Sequence, residues 1–335
     1  MRNSLYIISL GILMLSCGSQ KNIKKKVAAK PVATKVNATP KIVEKPHVET
    51  DKKGDYFTVN LADASKNDNT ISYGSIVDAK PAGYKVVKTY FPSLAQNFRQ
   101  KYLIIHYTAL NDEKSIRVLT EQSVSAHYLV NDLDDKEIYL LVDENKRAYH
   151  AGISAWRKDK YLNDNSIGIE IVNPGYTTDE TGKKIFVPFP EYQFKKVAAL
   201  AKDIATRYMI PPTNILGHSD IAPTRKQDPG PYFPWERLYK EYQLGMWYDE
   251  PVKQNFYNLA INSDFENQVN TSPFIFKVQT MLSDFGYDLP LTGAWDDATK
   301  KTLESFQYHF RPQVYDGVLD PETWAILQAL HQKYP

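Results

Sequence analysis

Apolar positions along the chain fall into three patterns, and each predicts a different element. YLII at 102–105 is a continuous run, the mark of a strand buried on both faces, and it leads into His106, Tyr107 and Thr108. SIGIEIVN at 166–173 alternates: Ile167, Ile169 and Ile171 share one face, while Gly168 and Glu170 point the other way. HYLVN at 127–131 and EIYLLVD at 137–143 read as a strand pair, with Asp132, Asp134 and Asp135 in the turn between them. Helical spacing takes over at 112–121 (Ile116, Leu119, Thr120) and at 191–208 (Val197, Ala201, Ile204, Tyr208), the second helix stopped by Pro211 and Pro212. It returns at 274–285 with Ile275, Val278, Leu282 and Phe285.

Two places break these patterns. Glu170 is a carboxylate in the middle of an apolar strand, where an unpaired charge is costly, so it needs a partner or a purpose. Residues 214–235, NILGHSDIAPTRKQDPGPYFPW, carry Gly217, Pro223, Pro229, Gly230, Pro231 and Pro234, which predicts a shaped loop and not a helix. That loop holds His218, Lys226 and Asp228. An imidazole and a carboxylate on a rigid loop suit a metal ion, with an ammonium beside any charge that develops there. The third ligand must come from elsewhere. His106 is the candidate, because the end of a buried strand lies on the rim where α/β sheets build their sites. Chain order alone leaves His127 and His150 open as well.

The chain has 335 residues, room for two folded domains plus non-globular segments, and its 42% hydrophobic and 13% aromatic content supports real cores. The net charge is +2, unevenly spread, since residues 21–55 hold ten Lys against four acidic residues. The remainder lacks the basic bias of a nucleic-acid binder. At the start, an apolar run from Leu5 to Leu15 follows Arg2 and precedes Cys17, the sole cysteine. The run is too short for a bilayer of about 30 Å and reads as an export signal over 1–16. Residues 17–55 are Lys, Ala, Val, Thr and Pro without apolar period, a solvated tether in which His47 is discounted as a ligand. Residues 56–83 are a polar lead-in.

Near the other end one device occurs twice. Gly293, Asp296 and Thr299 are matched by Gly317, Asp320 and Thr323, with each Asp placed to cap a helix and Pro321 at a first helical position. Leu303, Phe306 and Phe310 form one stripe and Trp324, Leu327 and Leu330 another, both expected in a core. His309 and His331 have no metal-ligand partners at useful spacing.

YLIIHYTA, VSAHYLV, AYHAGISAW, NSIGIEIVN and GHSDIAPTRKQDPGPYFPW together resemble the zinc-dependent N-acetylmuramoyl-L-alanine amidases of the T7-lysozyme and peptidoglycan-recognition-protein superfamily. The resemblance implies an α/β fold over residues 84–245, a mixed central sheet flanked by helices with a peptidoglycan groove above it. It implies zinc held by His106, His218 and Asp228, with Glu170 as general base and Lys226 as oxyanion stabiliser. Two imidazoles and one carboxylate leave a fourth position open, as in catalytic and not structural zinc sites. His150 lies where such proteins line the substrate groove. Trp156, Arg157 and Asn163 are further candidates for contact with peptide or sugar, and His127 is read as a strand residue hydrogen-bonded beneath the site.

After a connection at 246–264, residues 265–335 resemble a small three-helix peptidoglycan-binding domain, through Gly286, Tyr287, Thr292, Gly293, Asp296, Thr299, Phe306 and Gln307. LMLSCGS resembles a bacterial lipoprotein processing site, which implies a lipid on Cys17 and an outer-membrane protein facing the periplasm. The expected partners are peptidoglycan and muropeptides, with the membrane reached through the anchor, no nucleic acid and a monomer by default. The alternative is a wall-binding lipoprotein that tethers without cleaving. A metallopeptidase acting within the stem peptide finds no HExxH helix in the chain to support it.

Overall fold

A computed structural model describes residues 97–335, residues 82–84, and two short antiparallel strands, β1 (Glu49–Thr50) and β2 (Thr58–Val59). The export signal, Cys17 and most of the tether and lead-in lie outside the described residues. β1 and β2 pair across the boundary expected between tether and lead-in.

The central sheet has the order β11-β3-β8-β4-β5. β3 (Tyr102–Tyr107) lies between β8 (Ser166–Ile171) and β11 (Ile215–Gly217), parallel to both, and β4 (Tyr128–Val130) is parallel to β8. β5 (Tyr139–Leu140) adds an antiparallel edge, so the sheet is mixed. The continuous apolar run of β3 has its cause here: Leu103, Ile104 and Ile105 are covered on both faces and fully buried. Registration places His106 directly beside Glu170 on the neighbouring strand. In a parallel pair that puts both side chains on one face at the carboxyl end of the sheet.

Helix α1 (Asp112–Glu121) starts at Asn111, whose side chain accepts from the Lys114 N–H, and it covers a small apolar cluster with Leu119, Ala126, Leu129 and Val172. α2 (Glu191–Tyr208) packs across β3, β4 and β8 through Val197, Ala198, Ala201 and Ile204. Two hairpins complete this domain: β6 (Ala155–Trp156) with β7 (Asp159–Lys160), and β9 (Tyr176–Thr178) with β10 (Lys184–Phe186).

Residues 214–235 differ from the expected loop at their start. Ile215–Gly217 is a strand and α3 (His218–Ile221) is one helical turn; only beyond it do the prolines impose turns. Four residues suffice because the Ala222 N–H returns to the His218 carbonyl and the prolines follow before another turn can form.

α4 (Trp235–Tyr242) leads to the C-terminal helices α5 (Glu250–Ile261), α6 (Phe265–Gln268), α7 (Ser272–Phe285), α8 (Asp297–Phe310) and α9 (Pro321–Lys333). The expected connection at 246–264 thus contains a helix, and α5 packs along α9. Asp296 and Asp320 cap α8 and α9 through the N–H groups of Thr299 and Thr323. The duplication extends to buried glutamines: Gln279 accepts from Gly293 N–H and donates to Thr299, as Gln307 accepts from Gly317 N–H and donates to Thr323. Gly317 sits at φ 69°, and a Cβ there would meet the Lys300 carbonyl at 2.7 Å. One buried apolar cluster runs from Tyr102 of the sheet to Leu330 of α9, so the two domains share a core. Lys184 reaches across to Glu304 at 2.9 Å, and Phe186 packs on Tyr308 and Tyr315.

Candidate active site

Three elements that are distant in sequence converge at the carboxyl end of β3. His106 comes from that strand, His218 opens α3 and Asp228 follows in the proline-rich turns. The Ser219 N–H donates to the Asp228 carbonyl at 2.8 Å, which closes the ten-residue gap between the last two. His106 Nδ1 lies 3.0 Å from His218 Nδ1 and 2.9 Å from Asp228 Oδ2, and His218 Nδ1 lies 3.0 Å from the same oxygen. All three side chains are buried.

Their outer partners decide what those atoms carry. Ser166 Oγ–H donates to the Leu162 carbonyl, so the hydroxyl oxygen accepts from His150 Nε2–H at 3.1 Å. His150 Nδ1 is therefore an acceptor and takes the His106 Nε2–H at 2.9 Å, leaving a bare lone pair on His106 Nδ1. On the other side the Ala151 carbonyl accepts from His218 Nε2–H at 3.0 Å and from Arg225 at 2.8 Å. The 3.3 Å between those two donors is proximity around a shared acceptor. His218 Nδ1 thus also presents a lone pair. Two imidazole lone pairs and a carboxylate oxygen face one another within 3.0 Å with no proton between them. Such an arrangement is repulsive unless a cation sits among them, and the donor set suits a borderline divalent ion.

The electrostatics agree. Burial, then the neighbouring His218, lowers His106 to about 4, so it is neutral. Glu170 is half-buried, and its Oε2, itself out of solvent, has no hydrogen-bond partner among the described residues. Burial, then the charge of Asp228, pushes it up to about 8, against a lowering pull from Lys226. A cation held by the three ligands would lower it further.

A cleft of about 410 Å³ opens over this cluster. Glu170, His150, His218, Asp228, Lys226 and Arg225 line its polar end, and Leu110, Val118, Leu119 and Val124 its apolar flank. His150 thus borders the cleft as expected, while its hydrogen bonds make it the support of His106. His127 lies beneath, its Nδ1 accepting from the Gly168 N–H and its Nε2 donating to the Lys146 carbonyl.

Three expected groove residues lie elsewhere. Trp156 looks exposed in sequence beside Arg157, yet it is wholly buried, donating to the Thr213 carbonyl and packing on Phe285 and Tyr287 of the C-terminal domain. Arg157 turns outward from that contact at φ 53°, its N–H bonded to the Gly286 carbonyl. Asn163 is a buried pin: its Oδ1 accepts from the N–H groups of His150 and Ala151, holding the histidine's loop. None of the three lines the cleft.

Sequence reasoning passed over Ser166, Arg225 and Asp220. Arg225 stood inside the TRKQDPGP motif, and the two hydrogen bonds it donates to the carbonyls of Ala151 and Ile153 tie two loops together. For Ser166 and Asp220 the only sequence signal was position, one at the head of an inner strand and one two residues after His218.

The N-acetylmuramoyl-L-alanine amidase model matches residues 96–231, and the putative peptidoglycan binding domain model matches 271–327. N-acetylmuramoyl-L-alanine amidase AmiD of Escherichia coli (strain K12) is 42% identical over 245 residues, 70% of this chain and 84% of that protein. The 1,6-anhydro-N-acetylmuramyl-L-alanine amidase AmpD of Enterobacter cloacae is 42% identical over 105 residues, 31% of this chain and 51% of its own. Among solved structures, the complex of E. coli AmiD with the substrate anhydro-N-acetylmuramic acid-L-Ala-D-gamma-Glu-L-Lys superposes with a TM-score of 0.68 at 39% identity, covering 76% of this chain and 97% of that one. AmpDH3 of Pseudomonas aeruginosa gives 0.67 at 38% identity, covering 75% and 99%.

Proposed function

The chain belongs to the N-acetylmuramoyl-L-alanine amidase family, and from that premise we propose how its residues divide the work. It hydrolyses the amide between N-acetylmuramic acid and L-alanine in peptidoglycan or its fragments. The observation that carries the mechanism is the convergence of three unprotonated donor atoms within 3.0 Å at the floor of a cleft, beside a buried carboxylate oxygen without a partner. A non-catalytic tether has no use for such a costly constellation.

We assign the metal as zinc, held by His106, His218 and Asp228. When bound, zinc supplies a Lewis acid that polarises a carbonyl and lowers the pKa of water to about 7. Glu170, adjacent to His106 on the sheet, takes the proton from the attacking water and delivers it to the departing amine of L-alanine. Its desolvated position makes the carboxylate a stronger base and the carboxyl a weaker acid, so Glu170 can hold that proton between the two steps. Lys226, on the cleft wall, places its ammonium against the oxyanion of the substrate. His150 and the Ala151 carbonyl keep the two imidazoles in the tautomer that presents Nδ1 inward.

Muropeptides incubated with the protein, with and without a chelator, test this by mass spectrometry. Free stem peptide plus sugar is expected, and none after chelation. Intact muropeptides under all conditions support the tether instead, and truncated stems a peptidase.

The C-terminal domain supplies local concentration on the wall. We further propose that Cys17 carries a lipid anchor in the outer membrane, facing the periplasm. The Leu5–Leu15 run ahead of the sole cysteine and the basic tether behind it support this. Cys17→Ala should move the protein from the membrane to the soluble fraction, and continued sedimentation with outer membranes removes the proposal.

A further inference from the structure

Local concentration is not the only connection between the C-terminal domain and the reaction. Asp220 lies on α3, two residues after His218, and is 1% exposed. Its carboxylate accepts three hydrogen bonds. Oδ2 takes the Gly217 N–H at 2.8 Å and the His309 Nδ1–H at 2.7 Å, and Oδ1 takes the Tyr287 O–H at 2.8 Å. Only the first donor belongs to the catalytic domain. His309 comes from α8, stacked on Trp235 with ring centroids 4.0 Å apart, and Tyr287 follows α7.

A carboxylate taken out of water is stable only if its oxygens are satisfied. Without the C-terminal donors, Asp220 keeps one backbone N–H, and the four-residue turn must open to hydrate it. The same turn carries His218, and its Ser219 N–H holds the Asp228 carbonyl. Two of the three metal ligands therefore move with it.

A second contact reaches His218 from the other side. The Ala151 carbonyl that fixes the His218 tautomer belongs to the loop ending in Trp156, which is buried against Phe285 and Tyr287. The fit is close: a Cβ on Gly286 would fall 2.6 Å from the Trp156 ring, and the Arg157 N–H bonds the Gly286 carbonyl at 2.8 Å.

We propose that the C-terminal domain positions the His218 turn through the Tyr287–Asp220–His309 bonds, so that Tyr287, His309 and Asp220 are positioning residues for the metal centre. This rests on the reading of His218 as a metal ligand. Wall retention alone affects only reactions on polymer; positioning affects metal binding and turnover of small soluble muropeptides.

Tyr287→Phe keeps the ring and His309→Phe replaces the imidazole by another aromatic ring in the stack, and each removes one donor. In the full chain, with zinc titrated against a chromophoric chelator, each should weaken metal binding on the order of 10-fold and lower kcat on a soluble muropeptide. His309→Asn, whose amide N–H lies near the lost Nδ1–H, should restore most of both. Leu327→Ala, which opens the C-terminal core without touching Asp220, should lower Tm yet keep wild-type zinc affinity below its unfolding range. Wild-type affinity in both Phe variants overturns the proposal, as does an equal loss in Leu327→Ala. A wild-type chain that binds no zinc instead overturns the reading of His218 beneath it.

Discussion

Gly168→Ala is the sharpest single test of the support behind His106. The glycine stands in the interior of β8, where a residue without a side chain signals close approach by another group. An added Cβ would lie 2.5 Å from His150 Cγ and 2.6 Å from its Nδ1, whereas ordinary carbon contacts fall at about 3.5–4.0 Å. The ring must withdraw by about 1 Å or the strand must shift. Its exits are tied, since Nδ1 accepts from His106 at 2.9 Å, Nε2 donates to Ser166, and the backbone N–H is held by Asn163. A 1 Å retreat takes the His106 bond beyond hydrogen-bonding range and strands a buried N–H, a loss of about 1–3 kcal/mol. Overpacking strain adds roughly 1–3 kcal/mol, for a total of about 2–6 kcal/mol of fold stability. Because the lost bond also fixed the tautomer of a ligand, zinc affinity should fall about 10–100-fold. Urea unfolding of the metal-free protein measures the first quantity and chelator competition the second. A Gly168→Ala protein with wild-type urea midpoint and wild-type zinc affinity would refute the relay from Ser166 through His150 to His106.

Glu170→Gln should keep fold and bound metal while turnover drops about 10²–10⁴-fold; full activity in the muropeptide assay removes the base assignment. Lys226→Ala should cost about 10²–10³ in kcat with metal content unchanged, and a loss confined to KM would make Lys226 a ground-state binder. His218→Ala should abolish zinc uptake by elemental analysis, and stoichiometric zinc in that variant would break the ligand set. Glu144 gives a pH signature. Burial alone would raise its carboxyl, but Arg207, Tyr128 and Tyr208 donate to it and bring it down to about 2 from an ordinary 4.5. A lowered folded value means that stability is fully present above about pH 4.5 and is lost as pH falls towards 2, in all about 3 kcal/mol. Glu144→Gln should therefore be less stable than wild type at pH 7 and equal near pH 2. A gap independent of pH between those values would contradict this.

The parts of this protein that sequence determined are those in which neighbours along the chain are neighbours in space. The run at 102–105, the alternation at 166–173 and the helical spacing at 191–208 each state which face is buried. The capping aspartates 296 and 320 are read the same way, since a cap reaches only three residues ahead. Glu170, His218 and Asp228 stood out in the sequence as types out of place: a carboxylate inside an apolar strand, and an imidazole and a carboxylate among prolines.

What tertiary structure alone decided is who pairs with whom across long separations. His150 was visible as a groove residue but not as the acceptor that sets the tautomer of His106, 44 residues away. Trp156 stood in the sequence as a candidate for substrate contact, and it is buried because helices more than a hundred residues later fold over it. Asp220 had no local partner for its charge beyond one backbone N–H, and its other two donors arrive from 67 and 89 residues downstream. Burial and hydrogen-bond satisfaction are properties of the packed whole, and periodicity in one segment carries no record of what another segment will bring to it.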